Sequence, residues 1–164
     1  MNAPTLCTPI DAALAEAIVA QTPDAIVFAD REGTIRLWNR GAEVLFGFAA
    51  AEVVGSSLDV IIPERFRAAH WAGFRRAIAS GQVRHGDLVR TTRAIHRFGQ
   101  ALYVDLSFAL VRDATGSVIG SVAVGRDCSD RHLAEKALRE RLAAWERQAA
   151  HEAPLAQRVE DRGT

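Results

Sequence analysis

Apolar positions change their spacing several times along the chain, and each change marks an element. Residues 1–9 carry two prolines and no periodicity, which reads as a loose arm. Over 11–21, Leu14, Ile18 and Val19 recur at helical spacing, and Asp11 stands where an N-cap is wanted. Thr22-Pro23-Asp24 stops that helix. Residues 25–29 read as a buried strand, Asp30-Arg31-Glu32-Gly33 as a turn, and 34–38 as the returning strand of a hairpin. Asn39 then caps a short helix holding Ala42, Leu45 and Phe46 and ended by Gly47, and a second short helix covers 50–53. Pro63 suits the first position of a longer helix that carries Phe66, Ala69, His70, Gly73, Phe74, Ala77 and Ile78 in one stripe and stops near Gly81.

Three strands are expected next, over 85–95, 101–112 and 117–127, the last two joined by a turn at Asp113-Ala114-Thr115-Gly116. The order is two strands, three helices, three strands. That order predicts an α+β fold: a five-stranded antiparallel sheet with helices on one face, flanked by N- and C-terminal helices. A charged helix should run from 129 to about 150, with a frayed polar tail after Pro154. In it Leu138, Leu142, Trp145 and Ala149 step by four, three and four, the spacing of a short coiled-coil seam. A solvated helix packed back on its own sheet is the ordinary alternative.

Composition narrows the function. The chain has 164 residues, enough for one domain with helical extensions. Its 20 basic and 20 acidic residues cancel, which removes the bulk electrostatic case for nucleic acid. Eight arginines against two acids over 64–97 do not restore it, since no recognition helix or pattern of stacking aromatics goes with them. Cys7 and Cys128 are far apart and form no metal-binding pattern. No run of 18 apolar residues exists and Asp11 and Glu16 interrupt the first apolar stretch, so no membrane span and a cytoplasmic location are expected.

The motifs point further. Phe28-Ala29-Asp30-Arg31-Glu32-Gly33-Thr34-Ile35 resembles the opening hairpin of PAS sensor domains, and Trp38-Asn39-Arg40-Gly41-Ala42-Glu43-Val44-Leu45-Phe46-Gly47 resembles the helix that follows it. Val54-Gly55-Ser56-Ser57-Leu58 and Gly125-Arg126-Asp127 resemble the mid-domain and final-strand signatures, in the family's order. The resemblance implies the PAS fold and three regions: an arm and flanking helix (1–22), a PAS sensor domain (23–128), and a C-terminal signalling helix and tail (129–164). PAS domains share a fold and not a ligand, so function has to come from the pocket. The cysteine-bearing helix of the flavin photoreceptors is absent, with Asn39-Arg40-Gly41-Ala42 in its place. Neither cysteine stands where the coumaric-acid photoreceptors need one.

One subgroup fits better. Pro63-Glu64-Arg65-Phe66-Arg67-Ala68-Ala69-His70 resembles the helix of the rhizobial haem oxygen-sensor kinases, whose histidine ligates iron; the haem-regulated phosphodiesterase sensors place a histidine on the same helix. In both groups an arginine 20 residues later lies over the distal face, and here that residue is Arg90. The resemblance implies haem b, with His70 as the metal ligand, Arg76 beside a propionate, Leu106 and Phe108 on the distal side, and Arg84 and His85 near the haem edge. Leu88 stands where the phosphodiesterase sensors carry a methionine ligand, which implies five-coordinate ferrous iron. The stripe itself puts His70 beside Phe74, with the small Gly73 and Ala77 leaving room for a flat ring system. By alternation Leu88 and Arg90 share a face, with Leu88 inward.

The expected function is a haem-binding sensor of a diatomic gas, O2 ahead of CO or NO, which relays occupancy through its flanking helices. No catalytic residues are expected, because Arg90 has no acid–base partner in the sequence. A homodimer is expected, since both flanking helices carry apolar stripes. The alternative left open is a haem-free PAS module for dimerisation or protein interaction, in which His70 is an ordinary polar core or surface residue and Arg76 and Arg90 are surface residues.

Overall fold

The computed structural model of the protein describes residues 11–83 and 88–160, with side chains as far as His151. The arm over 1–9, and the Arg84 and His85 positions, lie outside the described residues. The elements are α1 (Ala12–Gln21), β1 (Ala25–Asp30), β2 (Ile35–Trp38), α2 (Arg40–Phe46), α3 (Ala50–Val53), a single 3-10 turn (Leu58–Val60), α4 (Glu64–Ser80), β3 (Arg90–Ile95), β4 (Ala101–Arg112), β5 (Val118–Asp127) and α5 (Ser129–Glu160). Two compact units divide at Cys128/Ser129.

The five strands form one sheet in the order β2-β1-β5-β4-β3, every pair antiparallel. The first and last strands in the chain thus meet at the centre, and the helices return over one face. Alternation puts Val27, Ala29, Ile35, Ala94 and Val104 on that face, where they are buried with Ala42 and Phe46 of α2, Val53 of α3 and Leu58. Phe46, Ile35, Val53 and Val104 are the largest fully buried side chains; truncating an aromatic such as Phe46 would cost about 3–5 kcal/mol.

Polar side chains fix the turns that aim this core. Asp30 Oδ1 accepts the Glu32 and Thr34 N–H groups while Arg36 Nε donates to Oδ2 at 2.7 Å, closing the β1–β2 hairpin. Gly33 in that turn has φ 83°, and a Cβ there would meet the Trp71 ring. Asn39 caps α2 through Ala42 N–H at 2.9 Å. A register shift at Val111/Arg112 lets Arg112 donate to Gly81 O at 2.7 Å and Gly116 O at 2.8 Å, which ties the C-terminus of α4 to the β4–β5 turn.

Three boundaries differ from the sequence reading. Among the described residues the third strand begins at Arg90, with Leu88 and Val89 outside it, because its ladder with β4 starts at Arg90↔Leu106. Pro63 takes the cap position, with extended backbone (ψ 134°), and Glu64 opens α4. The last helix continues through Pro154 to Glu160; proline withholds only its own N–H, and the residues around it keep helical backbone.

Candidate functional site

α4 lies on the helix-covered side of the sheet. Its half-buried stripe is Arg67, His70, Trp71, Gly73, Phe74, Ala77 and Ile78. That corrects the expected stripe: Phe66 is 39% exposed and Trp71 takes the inner place. The reason is physical. Trp71 has more apolar surface than Phe66, its ring packs over Gly33, and its Nε1–H finds an acceptor in Asp59 Oδ1 at 2.8 Å. Arg67 secures the same corner by donating to Ile62 O and Asp59 O. The turn of α4 that carries His70 is therefore anchored on both sides.

His70 Nε2 is buried and has no hydrogen-bond partner. The ring lies edge-on to Trp71 (centroids 5.2 Å, 84°) and nearly parallel to Phe74 (6.1 Å, 25°). Burial pushes its pKa below the ordinary 6.5, partly opposed by the nearby Asp59 carboxylate. The imidazole is held neutral, with an unsatisfied nitrogen in apolar surroundings. A buried polar atom without a partner is costly unless something completes it, which makes Nε2 a ligand-shaped feature. One turn on, a Cβ at Gly73 would meet nothing within 4 Å, so the helix surface beside His70 is open.

Across from α4, Leu106 and Phe108 lie on the inner face of β4, both half-buried, and Leu106 packs against the core. Leu106 fills the space above Gly125, where a Cβ would collide with it. Arg90 pairs directly with Leu106, and opposed residues of an antiparallel pair point to the same face. Arg90 therefore starts from the inner side of edge strand β3, with its side chain exposed. No hydrogen bond or ring contact joins it to His70. Leu88 corrects the expectation: it precedes β3 and is 58% exposed, since no ladder holds it. Arg76 is exposed on the solvent side of α4 and has no carboxylate partner among the described residues.

The structure thus places His70 and Phe74 on the half-buried side of α4, Leu106 and Phe108 on the inner face of β4 with Arg90 opposite Leu106, and Leu88 and Arg76 exposed. Two open clefts among the described residues, one beside Gly81 and Arg112 and one beside Asp24 and Arg126, are lined by neither His70 nor Arg90. Sequence reasoning missed Trp71 and Asp59. The available signal was the pair Gly33 and Trp71: a glycine turn and a large ring each make sense of the other, but only in three dimensions.

A family model described as the PAS fold matches residues 13–128. An uncharacterized protein of Azorhizobium caulinodans is 32% identical over 135 residues, which cover 82% of this chain and 18% of that protein. The sensor protein FixL of Bradyrhizobium diazoefficiens is 36% identical over 53 residues, 32% of this chain and 10% of FixL. The chain therefore spans less than a fifth of the length of these relatives. An RNA-binding light-oxygen-voltage receptor has the same fold with a TM-score of 0.67 at 23% identity, over 87% of this chain and 42% of that one.

Proposed function

The chain belongs to the PAS fold family, with its sensor domain in signal transduction, and from that premise we propose that it binds haem b through His70 and senses a diatomic gas, O2 ahead of CO and NO. The observation that carries this reading is His70 Nε2, buried and without a partner on the inner face of α4. Neutral imidazole is the protonation state that ligates iron, and the environment favours it. Among the described residues no three His, Cys, Asp or Glu side chains converge. A single imidazole suits a metal that brings its own equatorial ligands better than a bare ion, which needs several protein donors. The partial identity to a protein named as the sensor FixL agrees with the oxygen-sensor resemblance.

When bound, haem would supply iron with a coordination position free for a gas. The chain supplies the rest. Phe74 and Trp71 orient the His70 ring, and the Asp59 and Arg67 contacts hold that turn of α4 in place. Leu106 and Phe108 present apolar, half-buried side chains on one face of β4. Arg90 at the rim offers a charged donor, suited to a ligand that gathers negative charge, O2, over one that stays nearly neutral, CO. Exposed in this structure, its side chain has to turn inward to act. Two links lead out of the core: Asn39 Nδ2 donates to Val19 O and Thr22 O at the end of α1, and Arg126 pairs with Asp24 at 2.7 Å just before α5 begins.

The test is haemin titration of the purified chain, followed by absorbance. Stoichiometric uptake with a Soret band is expected for the wild type and its loss for His70→Ala. An unchanged spectrum in His70→Ala would overturn the assignment. A wild type that folds and takes up no haem would leave the protein-interaction reading in its place.

A further inference from the structure

β3 is an edge strand, and part of its backbone faces away from the sheet. In an antiparallel ladder, pairs that exchange hydrogen bonds alternate with pairs whose polar groups point outward. His96 N–H donates to Gln100 O across the β3–β4 turn, so Ala94, Thr92 and Arg90 face β4, while Ile95, Arg93 and Thr91 face outward. Ile95 agrees with this parity, since its N–H donates at 3.0 Å to Ile61 O, outside the ladder. Past that contact, the outward N–H and C=O groups of Thr91 and Arg93 meet no partner among the described residues. Both residues are exposed, and Leu88 and Val89, 58% and 66% exposed, precede them with apolar surface. Such an edge is a template for one more strand.

Charge selects the neighbour. Arg90 starts from the inner side of β3 and Arg93 from the outer side, where its guanidinium lies 5.2 Å from the centre of the Tyr103 ring. Both arginines are exposed and neither has an ion pair among the described residues. Asp105, the acid beside them on β4, accepts from Thr91 Oγ1 at 2.6 Å. We propose that the free edge of β3 over Arg90–Arg93 docks an acidic, extended segment of a partner protein, which adds as a sixth, antiparallel strand. Successive side chains of that segment point to opposite faces, so one carboxylate opposite Arg93 and a second, three residues on, opposite Arg90 would meet both cations. Backbone pairing supplies the affinity and the two carboxylates the choice of sequence. A second copy of β3 laid antiparallel along this edge would instead set arginine beside arginine, directly or on the diagonal, which is unfavourable. The inference needs no cofactor. Arg90 also belongs to the proposed gas site, so Arg93 carries the test.

The test uses the whole chain and an acetylated peptide, Ser-Val-Glu-Val-Thr-Glu-Val-Ser, labelled with fluorescein at its C-terminus and followed by fluorescence anisotropy. Saturable binding with Kd below about 1 mM is expected. Arg93→Glu should weaken it about ten-fold, and a peptide with arginine in place of its first glutamate should prefer that variant to the wild type. Methylating the amide of the peptide's threonine, which would face the edge, should abolish binding. Methylating the amide of the valine before it, which would face solvent, should leave binding within about two-fold. No binding by the wild type, or equal binding of a peptide with both glutamates replaced by glutamine, would overturn the proposal. Equal losses from the two methylated peptides would overturn strand addition. Tighter binding of oligothymidylate, lost in Arg93→Glu, would assign the edge to nucleic acid and overturn the peptide reading.

Discussion

Among the described residues Asn39 is the side chain on which the largest number of backbone groups depend, and its replacement should be a costly polar substitution. It is buried, and its Oδ1 accepts from Ile26 N–H at 2.8 Å and Ala42 N–H at 2.9 Å. Its Nδ2 donates to the carbonyls of Val19, Thr22 and Asp24 at 3.0, 3.2 and 3.0 Å. Asn39→Ala removes an N-cap, which costs about 1 kcal/mol. It strands the Ile26 N–H on β1, which costs a further ~1–3 kcal/mol where water cannot reach. The three carbonyls lose a shared donor, adding roughly 1 kcal/mol since carbonyls near the end of α1 can turn to water. The sum is about 3–5 kcal/mol, a large part of the ~5–15 kcal/mol that stabilises a domain of this size. Urea unfolding should show the midpoint falling by about 2 M with an unchanged slope. Amide exchange should show α1 losing protection ahead of the sheet, because two of the lost bonds hold its C-terminal turn. Asn39→Asp keeps the two acceptor bonds and should fall in between. A loss below about 1 kcal/mol for Asn39→Ala would mean that the hub is replaceable by solvent and refute this account.

On the proposed haem reading, Arg90→Ala should weaken O2 binding by one to two decades, the equivalent of a charge-assisted bond of roughly 1.5–3 kcal/mol, and leave CO affinity nearly unchanged; equal losses for both gases would mean that the substitution only disturbs the pocket's shape, and no change for either would place Arg90 outside it. Gly33→Ala puts a side chain at φ 83° and against the Trp71 ring; about 2 kcal/mol of stability should be lost together with a shift in Trp71 fluorescence, absent from a Trp71→Phe background. The Glu52 carboxyl is held below its usual 4.5 by the Ala49 N–H and then by Arg97. Its folded-state pKa is depressed, so its contribution is present above pH 4.5 and lost as pH falls through the lowered value. Glu52→Gln should therefore flatten the acid limb of the stability profile, and an unchanged limb would refute the linkage.

Local chemistry determined most of the scaffold before any tertiary contact. Asp11 and Asn39 cap the helices they precede, Gly47 and Gly81 end α2 and α4 at positive φ, and Ala101–Arg112 emerges as a strand with the bounds its alternation predicts. These signals lie within a few residues of their effects, so a single sequence carries them. The placement of His70 on the inner side of α4 is of the same kind, since helical spacing from Phe74 and Ala77 requires it.

Other features depended on what stands opposite. Phe66 and Trp71 are both aromatic and lie near opposite edges of the stripe, and only the Asp59 acceptor and the Gly33 turn choose between them. Leu88 shares the alternation of Arg90 but not its fate: a strand exists only where a neighbour completes its hydrogen bonds, and among the described residues the ladder between β3 and β4 runs from Ile95↔Ala101 as far as Arg90↔Leu106. The five bonds of Asn39 join three segments distant in sequence, though only the cap at Ala42 is local enough to read. Periodicity states which way a residue points along its own element. What it meets there, and whether the ladder reaches it at all, belongs to the assembled sheet.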